Sequence, residues 1–226
     1  ADVIQRRMNS LVELTPAETD LLHMAGARPA SHFGRRSVLR RPASQTFAPP
    51  YIISGWAAHS RELGDGRRQL IHILLPGDRL APPVNAGDRD AIVCITPVLL
   101  VDGEAIRSAA HDASRFPGIA AAVAAAAARE RALLMEQVVR LGRQNAYERV
   151  ASLFVELHRR CSAIGVVNGV DLPYPLTQEM LGDLLGLSVV HVNRTLQQMR
   201  RESLIELHHS HLKLPGLAKL TAVATG

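Results

Sequence analysis

The chain has 226 residues, 47% apolar and 21% charged, a globular balance that excludes disorder and leaves ample material for one or two cores. Its two cysteines, Cys94 and Cys161, exclude a disulfide scaffold or four-thiolate iron–sulfur ligation and favour a reducing, cytoplasmic setting. A formal net charge of +5 mildly favours an anionic partner, and no apolar run reaches the ~20 residues of a membrane helix. Arg6 and Arg7 lead into Asn9-Ser10 rather than into the apolar stretch of a secretory signal.

In chain order, Thr15-Pro16-Ala17-Glu18 supplies a cap, a first-turn proline and a first-turn acid, which predicts a short helix within 11–28. From Arg35 to Val101 the pattern turns to short strands. Ser37-Val-Leu-Arg, Tyr51-Ile-Ile-Ser, Gly55-Trp-Ala-Ala, Gln69-Leu-Ile-His-Ile-Leu-Leu and Ala91-Ile-Val-Cys-Ile-Thr are separated by Gly, Pro and Asp. Gly64-Asp65-Gly66 predicts a hairpin, and the strand spacing predicts an antiparallel sandwich or roll. Pro117 starts a long helix, alanine-rich at first. Farther along, Leu134, Val138 and Leu141 form one apolar stripe with nothing local to cover it, so the helix either lies across its own domain or pairs with a copy of itself. A hinge is placed at Gly142–Ala146, followed by a helix over Tyr147–Ile164.

The last third is the most informative. Thr177 caps a helix to Leu185, Gly186 and Leu187 make a tight turn, Ser188 caps a second helix to about Glu202, and two short alternating runs flank His209-Ser210. Leu181 and Leu185 seat the first helix, Gly182 permits close approach, and Val192, Leu196 and Met199 anchor the second. Helix, glycine turn, helix and hairpin describe a winged helix-turn-helix. The early exposed positions of the second helix, Val190, His191, Asn193 and Arg194, then meet base edges, where Asn and Arg suit adenine and guanine. Thr177, Gln178, Ser188, Arg200, Arg201, His209 and Lys213 complete the expected DNA surface.

The run Leu176-Thr-Gln-Glu-Met-Leu-Gly-Asp-Leu-Leu-Gly-Leu-Ser-Val-Val-His-Val-Asn-Arg-Thr-Leu-Gln-Gln-Met-Arg-Arg-Glu-Ser-Leu-Ile resembles the DNA-binding domain of the Crp/Fnr family of bacterial transcription regulators. Ile53-Ser-Gly-Trp-Ala, Asp65-Gly-Arg-Arg-Gln-Leu-Ile and Leu74-Leu-Pro-Gly-Asp resemble its sensor roll. Leu141-Gly-Arg-Gln-Asn-Ala-Tyr-Glu-Arg-Val-Ala resembles its interdomain join. The resemblance implies an α+β fold with a cyclic-nucleotide-binding-like antiparallel β-roll over 1–116, a dimerisation helix and hinge over 117–145, and a winged helix-turn-helix over 146–226. It also implies a homodimer on a two-fold symmetric double-stranded DNA site, with RNA polymerase as a partner and no membrane association.

Departures narrow the expectation. Pro76-Gly77-Asp78 is followed by Arg79-Leu80-Ala81-Pro82-Pro83 rather than Gly-Glu-Leu, and Asp88-Arg89-Asp90-Ala91 stands where cyclic-AMP-binding members carry an Arg-Ser-Ala cassette. Arg89 between two aspartates is expected to be neutralised by them, so cyclic AMP is not the expected effector, and the effector is left unassigned. The N-terminal cysteine cluster of oxygen-sensing members has no counterpart, and Val190 stands where many members place Glu. No nucleophile–base constellation or phosphate loop suggests an enzyme, and no cofactor or metal is assigned. His208, His209 and His211 read as a solvated wing before a chelate, Cys94 as a buried inert thiol, Trp56 as roll core, and His72 as a satisfied sheet histidine before a haem ligand. The alternative function is a haem- or small-molecule-sensing roll whose ligand binding is the main activity.

Overall fold

The computed structural model describes residues 2–39, 48–80 and 89–225. Ala81-Pro82-Pro83 and Asp88, part of the departure from the phosphate cassette, and Arg40 of the first strand motif lie outside them. Helices α1 (Asp2–Asn9) and α2 (Pro16–Gly26) precede seven short strands: β1 (Ser31–Phe33), β2 (Val38–Leu39), β3 (Tyr51–Ser54), β4 (Ala57–Glu62), β5 (Arg68–Leu74), β6 (Asp90–Cys94) and β7 (Val98–Val101). Then come α3 (Glu104–His111), the long α4 (Pro117–Arg143) and α5 (Ala146–Ala163). The chain ends with β8 (Asp171–Pro173), α6 (Gln178–Leu185), α7 (Val189–Arg201), β9 (Glu206–His208), β10 (His211–Lys213) and α8 (Leu217–Thr225). The result is the expected α+β fold, with helices α1, α3 and α8 and strands β1 and β7 added to the reading of the sequence. Among the described residues, no helix is long and apolar enough to cross a membrane.

Two antiparallel sheets, β2-β6-β4-β5 and β1-β7-β3, make the roll. The Gly64-Asp65-Gly66 turn joins β4 to β5 as expected, closed by Leu63 N–H donating to the Arg67 carbonyl at 2.7 Å. Successive strand residues point to opposite faces, and the four-stranded sheet uses both. Ala57, Leu74, Ile92 and Cys94 join a core inside the roll with Ile52, Leu80 and Leu100. Trp56, Ala58, Ile73 and Ile95 join a second core that continues into Phe154, Leu157, Leu184 and Leu196. Trp56 is therefore core, as expected, but of a cluster that the roll shares with the C-terminal helices. Each large apolar side chain buried there contributes about 1.5–3 kcal/mol, so that shared core docks the two parts firmly.

Local signals explain the helix ends. Thr15 and Glu18 close a capping box on α2, with the Glu18 carboxylate accepting from Thr15 N–H at 2.9 Å. The same carboxylate accepts from Ile119 N–H at 3.0 Å, and so serves α4, whose own N-cap, Phe116, offers no side-chain cap. Helix α4 runs through Gly142 without a break. The break falls at Gln144, in extended backbone, and Asn145, whose side chain caps α5 with Glu148 in a second capping box.

Candidate nucleic-acid interface

Helices α6 and α7 are set by side chains already suspected. The Thr177 hydroxyl accepts from Met180 N–H at 3.2 Å and the Ser188 hydroxyl from His191 N–H at 3.2 Å, so both are helix N-caps. Gly186 sits in the left-handed region at φ 63°, where a side chain is strained. A Cβ on Gly182 would lie 2.6 Å from the Leu187 carbonyl oxygen, which only glycine avoids. Leu181, Leu185, Val192, Leu196 and Met199 are all buried in one core, and that fixes the angle between the helices.

The opposite face of α7 is wet. Val190 is 72% exposed, and His191, Arg194, Gln197, Gln198, Arg200 and Arg201 are exposed as well. Asn193 is half-buried because its amide donates to Gln178 Oε1 at 3.1 Å; the pair ties the base of α6 to the middle of α7. Strands β9 and β10 pair as a hairpin, and β8 adds a third antiparallel strand beside β10. His209, at φ 51°, marks its tip and Lys213 lies exposed on β10. Two of the three wing histidines are individually engaged: His208 faces Glu206 at 3.4 Å and His211 faces Asp171 at 3.1 Å.

The roll edge flanks this surface, a feature that sequence reasoning missed. Thr177, Gln178, Arg200 and His209 line one cleft together with Arg35 and Thr96. A second groove brings Arg35, Arg36, Arg68 and Arg89 to the start of α6 at Thr177. Arg68 grips the Asp183 carboxylate at 2.6 and 2.9 Å, and the Gln69 amide donates to the Asp183 carbonyl at 2.6 Å.

Residues 148–223 match the Crp-like helix-turn-helix domain. The chain is 31% identical over 201 residues to the transcriptional activatory protein AadR of Rhodopseudomonas palustris, covering 85% of this chain and 79% of that one. The structure of FixK2 from Bradyrhizobium japonicum superposes with a TM-score of 0.69 at 24% identity, covering 86% of this chain and 97% of the other. A CooA mutant from Carboxydothermus hydrogenoformans gives 0.67 at 17% identity, covering 95% and 99%. The chain belongs to the Crp/Fnr family of bacterial transcription regulators. The relatives it matches are regulators rather than enzymes, and a DNA-binding regulator is the function of this class.

In this Crp/Fnr chain, α4 has two unlike faces. Leu133, Gln137 and Arg140 are buried against the fold, whereas Val138 is 64% exposed and Met135 and Val139 are exposed beside it. Leu134 and Leu141 are half-buried along the margin of that apolar strip. The buried side carries a chain of charges. Arg7 meets Asp78 at 3.1 Å, Asp78 meets Arg160 at 2.9 Å, and Arg160 meets Glu156 at 2.9 Å. Glu156 in turn meets Arg140 at 2.8 Å, Arg140 donates to Gln137 Oε1 at 2.5 Å, and the Gln137 amide donates to the Leu184 carbonyl at 2.7 Å. Buried ions persist only when paired in this way. The chain of contacts runs from Arg7 of α1 through the roll's Pro76-Gly77-Asp78 turn to the last turn of α6.

Other expectations resolve as follows. Asp90 forks onto Arg61 at 2.6 and 2.7 Å rather than serving Arg89 alone. Cys94 and Cys161 are buried, and burial pushes both thiols up, Cys161 to about 12, as inert thiols require. His72 is not the satisfied sheet histidine expected. It lies opposite His59 across β4 and β5, the rings stack 4.8 Å apart, and His72 Nδ1 and His59 Nε2 are buried with no hydrogen-bond partner.

Proposed function

We propose that the chain is a cytoplasmic homodimeric transcription regulator that reads a two-fold symmetric duplex site and receives a signal where the roll meets α4. The division into roll (1–116), dimer helix and hinge (117–145) and winged domain (146–226) is part of this reading. One observation carries it: α7 buries Val192, Leu196 and Met199 and holds its basic and amide side chains outward, with a wing beside it. Val190, His191, Asn193 and Arg194 occupy the positions from which a recognition helix reaches base edges. Thr177, Gln178, Ser188, Arg200, Arg201, His209 and Lys213 surround them as phosphate contacts, which position the protein without reading sequence. Leu134, Val138 and Leu141 form the seam with a second copy, and RNA polymerase is the downstream partner.

Selection of bound sites from random duplexes tests the reading, with a palindrome as the expected product. Val138→Asp places two like charges across the dimer axis. The variant should become monomeric by light scattering with its winged domain folded, and its specific affinity should collapse while weak, salt-sensitive binding persists. A dimer of unchanged affinity would move the seam elsewhere, to the Ala120–Ala128 segment.

A further inference from the structure

Two imidazoles buried side by side without partners are costly, because each unsatisfied buried nitrogen has given up its hydrogen bond to water and gained none in return. His59 and His72 are 5% and 7% exposed, and their orphaned atoms, Nε2 and Nδ1, are fully enclosed. Across the gap, Glu130 projects from α4 into the cleft that His72 lines, together with Arg79, Asp78 and Arg160. One ligand-capable atom from each of His59, His72 and Glu130 lies within 4.8 Å of the other two. Among the described residues, it is the one cluster of three such side chains that converges.

We propose that His59, His72 and Glu130 form a binding site for a divalent transition-metal cation, with two imidazole nitrogens and one carboxylate as its protein ligands. This donor set suits zinc and its first-row neighbours, and leaves positions for water. Metal–ligand bonds of about 2.0–2.2 Å require donors roughly 3.3 Å apart, so the widest pair must close by up to about 1.5 Å. Glu130, half-buried on a flexible stem, is the member that can travel, while the β4–β5 ladder holds the two histidines opposite one another. Ligation requires neutral imidazole. A bound cation ties α4, the helix that carries Val138, to the roll. The site stands independently of the DNA-binding reading, because its occupancy is measured without DNA.

The test uses the full chain, stripped with a chelator and titrated with Co²⁺ by visible absorption and with Zn²⁺ by calorimetry. One equivalent per chain and Co²⁺ ligand-field bands are expected. Glu130→Gln should weaken binding at least tenfold, and His72→Gln should abolish the bands, with circular dichroism confirming that each variant is folded. If His72→Gln fails to fold, Glu130→Gln alone decides, since its half-buried position tolerates the amide. A His208→Ala/His211→Ala double variant should leave the titration unchanged. No binding by the wild type, binding that survives Glu130→Gln at full strength, or binding lost with the wing histidines would overturn the site. A Soret band in the protein as purified would do the same by assigning the histidines to haem.

Discussion

The winged end and the junction between roll and α4 treat charge in opposite ways. On α7, Arg194 and Arg201 stand in water with no structural duty, so they are free to meet a ligand. At the junction, Arg140 and Arg160 are 4% and 3% exposed and are held by Glu156, Asp78, the Gln137 side chain and the Ile73 carbonyl. A charge kept for an outside partner costs little while it waits, because water solvates it. A charge sealed inside must already have its partners, and removing one partner strands the rest. The same side chain is thus left open to an outside partner in one place and locked into the fold in the other.

That contrast breaks most severely at Glu156. Glu156→Ala leaves both Arg140 and Arg160 short of a carboxylate, and urea unfolding should show a loss of about 3–5 kcal/mol. A loss below about 1 kcal/mol would mean that water enters the junction and the charges there are no more sealed than those on α7. Arg194→Ala sharpens the opposite side. Specific DNA affinity should fall by ~1–3 kcal/mol with one position per half-site relaxed, while stability moves by less than about 0.5 kcal/mol. A uniform loss across all sequences would reassign Arg194 to a phosphate.

Between these extremes lies the Arg68–Asp183 contact, whose side chains are 32% and 23% exposed. Asp183→Asn should cost at most about 1 kcal/mol, and less in high salt. Hydrogen exchange along α6 reads the change directly. The smallest effect concerns acid. Burial raises the Glu18 carboxyl, but hydrogen bonds from Thr15, Ile119 and Gly118 outweigh it and hold the group below its usual 4.5. Its contribution is therefore complete above about pH 4.5 and is lost as pH falls through the lower folded value. Glu18→Gln should flatten that part of the stability–pH curve, and an unchanged slope would place the acid sensitivity elsewhere.

The winged end was legible because its signals are local. Thr177, Ser188, Gly186 and the Val192–Leu196–Met199 spacing each act within a turn or two of helix, and each was found in place. The junction was not, because its bonds join residues far apart in the chain. Gln137 meets a carbonyl 47 residues away and Arg160 a carboxylate 82 residues away. On a helix, Arg140, Glu156 and Arg160 carry the same signature as solvated charges. The His59–His72 pairing depends on a strand register shifted by an irregularity between His59 and Ser60, which alternation alone does not reveal. Strand β1 escaped notice because three residues with mostly exposed side chains carry no hydrophobic pattern.

The carboxylate shared between α2 and α4 has a consequence for the order of assembly. Its bond to Ile119 closes a loop of 101 residues, and such closure must bear its entropy before any contact rewards it. The first turn of α4 is therefore completed only after the N-terminal helices return to the roll, however strongly the alanine-rich stretch favours helix by itself. While the chain emerges from the ribosome, the N-terminal helices must wait for partners made much later. Helix α4 in turn acquires a fixed starting point only when the beginning of the chain has come back to hold it.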